Sequence, residues 1–245
     1  MAAVSEGDSA GQGPRVAAEG PEREIMKLYV TRHGQTQWNA LDKVLGRTDV
    51  PLDETGRTQA EELARALTGE PIDLVLTSPL QRTAQTGAAV ARSLGIPAQT
   101  ADELIEMNFG IYEGVLRSDP VYQTAKARYF ARYPEGESFL DVAARVYPFL
   151  RALPETVNEI LLREQAVGGS SHDAEDEVVV TASALTDPGA ETSAVPGAAF
   201  RPARGVLLVT HNGICRVIHS WFESMTNDEF RTFALPNCAL MQYEL

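Results

Sequence analysis

Three short, nearly continuous apolar runs stand out in a chain otherwise patterned at helical spacing. They are Lys27-Leu28-Tyr29-Val30-Thr31, Ile72-Asp73-Leu74-Val75-Leu76-Thr77 and Gly205-Val206-Leu207-Leu208-Val209-Thr210. Runs of this length fit strands covered on both faces, as in a parallel sheet. Between and after them the apolar positions recur at the spacing of a helix. Ala60, Leu63, Ala64 and Leu67 form one such set, with Asp53 or Thr55 as its N-cap and Gly69 as its stop. Ser78-Pro79 predicts another helix start, a capping residue followed by a proline at the first helical position, with Gly95 at the far end. Ser138 with Asp141 reads as a capping box ahead of Val142, Ala143, Val146 and Leu150. After the third strand, Ile214, Val217, Ile218, Trp221 and Phe222 make an apolar stripe. Strands alternating with helices predict an α/β fold, a three-layer α/β/α sandwich on a mostly parallel central sheet.

Two segments break the pattern. Residues 1–24 hold too few large apolar side chains to offset the entropy of ordering and read as a flexible tail, with no apolar run of a secretory signal. From about 164 to 204 the chain turns to Gly, Ser, Ala, Pro and acids, with 177–181 as a lone strand-like island. This reads as an acidic surface insertion in a single catalytic domain spanning 25–245.

The 245 residues, 44% hydrophobic and 22% charged, are ample for one sizeable core. The formal net charge of -13 repels nucleic acid and anionic membrane surfaces, so neither is expected as a partner, and an anionic substrate needs a local basic pocket. No stretch is long and apolar enough for a bilayer. The two cysteines, Cys215 and Cys238, read as buried reduced thiols, and the cytoplasm is the expected compartment.

Ligands of open α/β sheets bind beyond the carboxyl ends of the strands. The first strand is followed there by Arg32-His33-Gly34-Gln35-Thr36, the second by Ser78-Pro79-Leu80-Gln81-Arg82, and the third by His211-Asn212-Gly213. If the strands are parallel neighbours, two histidines and two arginines meet at one edge beside two helix N-termini. That is a phosphate site assembled without a metal. A carboxylate comes from Glu103-Leu104-Ile105-Glu106-Met107-Asn108-Phe109-Gly110-Ile111-Tyr112-Glu113-Gly114. Residue chemistry alone leaves Glu103, Glu106 and Glu113 open as the acid.

The stretch Thr31-Arg32-His33-Gly34-Gln35-Thr36-Gln37-Trp38-Asn39 resembles the signature of the histidine phosphatase superfamily, in its phosphoglycerate mutase-like branch. The resemblance continues through Gly46, Asp49-Val50-Pro51-Leu52, Gly56 and Gln59-Ala60, then Thr77 to Thr86, Leu104 to Gly110 with Glu113-Gly114, Pro134 to Ser138, and Val209 to Gly213. It implies a phosphoglycerate mutase-like fold and a metal- and cofactor-independent phosphomonoesterase acting on a small phosphorylated metabolite. His33 would be the nucleophile that becomes phosphohistidine, and Glu106 the proton donor and acceptor. Arg32, Arg82 and a cationic His211 would hold the phosphoryl oxygens. Gly34, Thr36, Asn39, Gly46, Asn212 and Gly213 are the further substrate-binding positions it suggests. Lys43, where relatives often carry arginine, and Leu45, at a position often polar, depart from the pattern and leave the substrate open. The segment from Ser118 to Pro134 is short for a mutase, which favours hydrolysis over transfer back to substrate. A phospholigand-binding pseudoenzyme is the alternative of another class, and a homodimer is an open expectation. His172 and His219 are not expected in the site, and Trp38 and Tyr112 read as packing residues.

Overall fold

The computed structural model describes residues 25–168 and 201–245, so the tail 1–24, His172 and the 177–181 stretch lie outside the described residues. The three apolar runs are strands β1 (Lys27–Arg32), β2 (Leu74–Thr77) and β4 (Gly205–Thr210). Among the described residues they share one sheet with β3 (Ala98–Thr100) and β5 (Leu240–Glu244), in the order β3-β2-β4-β1-β5. Every pairing is parallel except that of β5 with β1. β3 and β5 carry no long apolar run because each is an edge strand. β5 alternates exposed and half-buried residues, and β3 is three residues of small or polar type.

Alternation along the inner strands sorts the core into two layers. Leu28, Val30, Leu74, Leu76, Val206 and Leu208 face helices α5 (Phe139–Gly168) and α6 (Asn212–Phe222). Tyr29, Val75, Leu207 and Val209 face α2 (Glu54–Ala66) and α3 (Gln81–Leu94), against Leu63, Leu67 and Val90. Both faces are therefore dry, the condition the continuous apolar runs imply. Truncating a fully buried side chain such as Leu208 to Ala would cost about 2–5 kcal/mol. The remaining helices are α1 (Gln37–Ala40), α4 (Pro120–Lys126) and α7 (Asn227–Thr232).

Local signals set several boundaries. Asp53 caps α2, accepting from the Gly56 N–H at 2.8 Å. Gly95 closes α3 in the left-handed region at φ 66°, where a side chain would be strained. Ser138 and Asp141 exchange bonds at the start of α5, which continues to Gly168 through Pro148 and Pro154. The start of α3 differs from expectation. Ser78-Pro79 forms a turn, and the helix begins at Gln81, because its cap comes from a distant loop: Asp49 accepts from the Gln81 N–H at 2.9 Å and from its side-chain amide at 3.0 Å. The stripe on α6 also narrows. Ile214, Val217 and Ile218 are buried, whereas Trp221 is 36% exposed and lies on Tyr147.

Candidate active site

The register of the parallel strands builds the site. Arg32 at the end of β1 pairs with Thr210 at the end of β4, and Thr77 at the end of β2 pairs with Val209. The residues that follow, His33, His211 and Ser78, therefore emerge side by side at the carboxyl edge. His33 and His211 lie with ring centroids 5.2 Å apart.

His33 is 3% exposed. Its Nδ1 lies 2.6 Å from the Gly34 carbonyl oxygen, which can only accept, so Nδ1 carries the proton and Nε2 the lone pair. Burial, then the charges of Arg82 and Arg32, hold the ring well below the usual histidine pKa, against the Gly34 carbonyl, which pulls the other way. The backbone is fixed from both sides: the His33 N–H donates to Thr210 O at 2.9 Å, and the Asn237 amide donates to His33 O at 2.7 Å.

Arg82 and His211 sit beneath His33 and are fully buried. Arg82 donates through Nη1 to Thr48 O at 3.1 Å, through Nη2 to Gly46 O at 2.6 Å and through Nε to His211 Nδ1 at 3.2 Å. An acceptor at Nδ1 requires the proton of His211 on Nε2, where it reaches Ser78 Oγ at 2.8 Å. This hydrogen-bond pattern is that of a neutral imidazole, whereas the cation expected of His211 is that of the ring beside a phosphate. Burial is the main cause, and Arg82 the next, of a pKa well below the ordinary value. Burial likewise lowers Arg82, to about 10, which still leaves it charged at neutral pH.

Of the three candidate acids, Glu106 is the one that borders the cavity. It is 5% exposed and borders the same cavity as Arg32, His33, Asn39, Asn212 and Gly213. Its Oε1 accepts from the Met107 N–H at 2.9 Å and its Oε2 from the Gly213 N–H at 3.2 Å. Burial raises its pKa, with those two N–H groups, then Arg82 and Arg32, opposing. A carboxyl group so placed holds its proton to higher pH than an exposed one. Glu113 instead ties the loop together, accepting from the N–H groups of Arg47 at 2.8 Å and Thr48 at 2.7 Å. Glu103 does not border the cavity.

The other expected positions divide in two. Asn39, Asn212 and Gly213 reach the cavity, although the Gly213 N–H is engaged by Glu106 and the Asn212 side-chain oxygen by the Leu235 N–H at 2.8 Å. Gly34, Thr36 and Gly46 act one step back. A Cβ on Gly34 would come within 2.4 Å of Gly56 O, and one on Gly46 within 2.2 Å of the Glu113 carboxylate. Thr36 caps α1 by a reciprocal pair of bonds with Asn39, which orients Asn39. Leu45 borders the cavity, while Lys43 lies over Trp38. Tyr112 packs with Tyr122 and Tyr133, and His219 bonds the Tyr243 hydroxyl at 2.7 Å, away from the site. Cys215 is buried, Cys238 is half-buried, and both thiols are free.

The cavity also brings in Arg117, Lys126 and Arg216, which motif reasoning did not single out. Of these only Arg216 had a legible signal. It lies four residues after Asn212, hence on the same side of an otherwise apolar helix. Among the described residues no group of three or more His, Cys, Asp or Glu side chains is placed to hold a metal, and no helix is long and apolar enough to cross a membrane.

Fold and cavity together define an α/β protein with a pocket lined by His33, Arg32 and further basic residues at the carboxyl edge of its sheet. The chain belongs to the histidine phosphatase superfamily, whose branch 1 model matches residues 28–162. It is 32% identical over 137 residues to a protein named "Probable phosphoglycerate mutase GpmB" from Yersinia pestis, covering 51% of this chain and 62% of that relative. The chain therefore matches less than two thirds of the relative's length. In fold it is similar to a mycobacterial glucosyl-3-phosphoglycerate phosphatase, with TM-score 0.64, 23% identity and coverage of 89% of both chains. It is also similar to a Thermus thermophilus protein, TTHB049, with TM-score 0.55, 25% identity and coverage of 89% of this chain and 92% of that one.

Proposed function

We propose that this protein is a phosphomonoesterase that hydrolyses a small phosphorylated metabolite through a phosphohistidine on His33. The observation that carries the reading is that His33, with Nδ1 tied to Gly34 O, and the buried Glu106 border one cavity, where burial moves the Glu106 pKa upward. In the first step the Nε2 lone pair attacks phosphorus, the N–P bond forms as the ester P–O bond breaks, and the Glu106 proton passes to the leaving alkoxide. The imidazolium produced keeps its Nδ1–H on the Gly34 carbonyl, which stabilises the positive ring. In the second step water attacks phosphorus and gives a proton to Glu106, the N–P bond breaks, and orthophosphate leaves with His33 neutral again.

Arg32 borders the cavity with Nη1 on Leu235 O at 3.0 Å and a buried Nε that has no partner among the described residues. It is the arginine best placed to meet a phosphoryl oxygen. Arg82 and His211 act from beneath in this reading: Arg82 contributes its field and holds the Gly46–Thr48 loop, while His211 orients Arg82. The cavity has about 70 Å³ of free volume, several times the ~10–15 Å³ one water needs, which suits a compact ester. Two free thiols favour the cytoplasm as its compartment.

The decisive experiment is hydrolysis of p-nitrophenyl phosphate by the wild type and His33→Ala, with trapping of an acid-labile, alkali-stable phosphoryl adduct mapped to His33. Equal baseline rates and no adduct would leave a phospholigand binder instead. Because the relatives bear a mutase name, incubation with 3-phosphoglycerate and bisphosphoglycerate separates the remaining alternative. Formation of 2-phosphoglycerate without phosphate release would mark a mutase.

A further inference from the structure

The ring of His33 is aimed by its own neighbour. Its Nδ1 bonds the Gly34 carbonyl, so the direction of the Nε2 lone pair depends on how two successive peptide planes are held. The first plane joins His33 to Gly34. Its carbonyl, His33 O, accepts from the Asn237 side-chain amide at 2.7 Å, and its N–H, on Gly34, donates to Thr86 Oγ1 at 3.1 Å. The second plane carries Gly34 O, and its N–H, on Gln35, donates to Gln59 Oε1 at 2.8 Å. Side chains from α2, α3 and the segment before β5 therefore pin the peptides that orient the imidazole.

Asn237 stands apart from the other two. Thr86 and Gln59 sit on helices, whereas Asn237 sits in a tight turn in which the Ala239 N–H donates to Pro236 O at 3.2 Å. Cys238 holds the third place of that turn at φ 57°, in the left-handed region. Glycine or asparagine is usual at such a position, and a cysteine there stores backbone strain. Bonds on both sides maintain it: the Cys238 N–H donates to Arg32 O at 2.9 Å, and Ala239 O accepts from Thr31 Oγ1 at 2.8 Å. This turn is what presents the Asn237 amide to His33 O. An oxygen that can only accept also settles the orientation of the amide, with its nitrogen inward.

The same segment reaches other groups of the site. Leu235 O accepts from Arg32 Nη1 at 3.0 Å, and the Leu235 N–H donates to Asn212 Oδ1 at 2.8 Å. Yet Asn237 and Cys238 are only half-buried, and both border an open groove of about 510 Å³ between α2 and β5. Asn237 is therefore not part of a close-packed core, and truncating it leaves no sealed void. The bond its side chain makes in the structure is the one to His33 O.

We propose that Asn237 is a positioning residue for His33: by fixing the His33–Gly34 peptide it keeps Nδ1 on the Gly34 carbonyl and leaves the Nε2 lone pair free to attack phosphorus. This rests on the phosphatase reading for the identity of the nucleophile. Asn237 touches no reacting atom and supplies no proton, so its effect passes through a backbone bond. Without that bond the peptide tilts and the Nδ1 contact loosens. The ring then populates the tautomer with its proton on Nε2, where no lone pair is left for the attack.

The test compares the full-length wild type with Asn237→Ala and with Asn237→Asp, which keeps the size of the side chain but has no donor at neutral pH. On p-nitrophenyl phosphate, kcat should fall at least about tenfold with KM within about threefold, since a small misplacement of a reacting group weighs on rate more than on binding. Nitrogen NMR of histidine-labelled protein, with the His33 signals assigned from His33→Gln, reads the tautomer without turnover. The wild type should carry its proton on Nδ1, and both variants should gain the Nε2-protonated form. The proposal requires both changes, and Asn237→Asp gives the same readings if Asn237→Ala does not fold. Hydrolysis by the wild type, with kcat and tautomer unchanged in the variants, overturns the positioning role and leaves the phosphatase reading intact. A tautomer shift in the variants of a protein that hydrolyses nothing and forms no adduct supports the hold on His33 and overturns the phosphatase reading. Activity lost in step with the folded fraction, with the tautomer of the folded protein unchanged, marks a merely structural role and defeats the proposal.

Discussion

Replacing Glu106 by Gln removes the transferable acidic proton and almost no volume, so it isolates what the carboxyl group does. The carboxylate accepts from two backbone N–H groups, Met107 at 2.9 Å and Gly213 at 3.2 Å. The amide of Gln has one acceptor oxygen and one donor nitrogen, so one N–H must lose its partner, at about 1–3 kcal/mol. Against this, the amide matches the carboxyl group in size and carries no charge, and the fold is expected to survive. The kinetic effect is larger. A positioned general acid contributes about 10²–10⁴ in rate, or roughly 3–5 kcal/mol of barrier. That loss should appear in kcat/KM on an alkyl phosphate, whose alkoxide needs a proton as it leaves. On p-nitrophenyl phosphate, whose phenolate leaves without one, kcat/KM should fall by less than about tenfold. Using kcat/KM confines the comparison to the phosphorylation step, before water enters. The pH dependence of stability adds a second check. Wild-type Glu106 keeps its proton in the folded state above the unfolded value of about 4.3, so between that value and its raised folded value the native state binds more protons and stability falls as pH rises. Glu106→Gln should lack this component in urea titrations. Equal losses on the two esters, or an alkyl phosphate rate within about threefold of wild type, would refute the role assigned to Glu106.

The histidine pair predicts a slope of the opposite sign. The folded-state pKa values of His33 and His211 are lowered, so the unfolded chain binds more protons below about 6.5 and stability should rise with pH up to that value, less steeply in His33→Gln. Urea denaturation across that range reads it. Arg82→Met leaves the Gly46 and Thr48 carbonyls and His211 Nδ1 without their donor, and should cost about 3–5 kcal/mol together with activity. Denaturant midpoints would show it, and a loss below about 1 kcal/mol would argue against Arg82 as the clamp of that loop. Gly213→Ala puts a Cβ 2.5 Å from Glu106 Oε1, so the carboxyl group must move. The expected result is a fall of more than about tenfold in kcat/KM on alkyl phosphates with little change in midpoint, since small misplacements of a proton donor weigh heavily on rate.

The anchors of the site could be read from local sequence because they lie directly after strands. A both-sides-buried strand announces itself as an apolar run, and Arg32, His33 and His211 follow two such runs immediately. Arg82 follows the remaining run, Ile72 to Thr77, at a few residues' distance. The start of α3 could not be read that way. Ser78-Pro79 has the composition of a cap, but Asp49 caps the helix from a loop far along the chain, which leaves the Ser78 hydroxyl to receive His211. The edge strands β3 and β5 escaped for a related reason: with one side open, neither needs the apolar run that periodicity detects.

What the amino-acid order determined by itself was the set of elements and the reacting groups placed at their ends, since turn, cap and burial preferences act over a few residues. Tertiary structure decided which of those groups meet the cavity. Among three candidate acids it placed Glu106 there and gave Glu113 to the loop. It also set the tautomer of His211, because a buried neighbour, Arg82, donates to its Nδ1. Arg216, Lys126 and Arg117 came to line the same cavity only through packing, as burial and distance depend on segments that are remote along the chain.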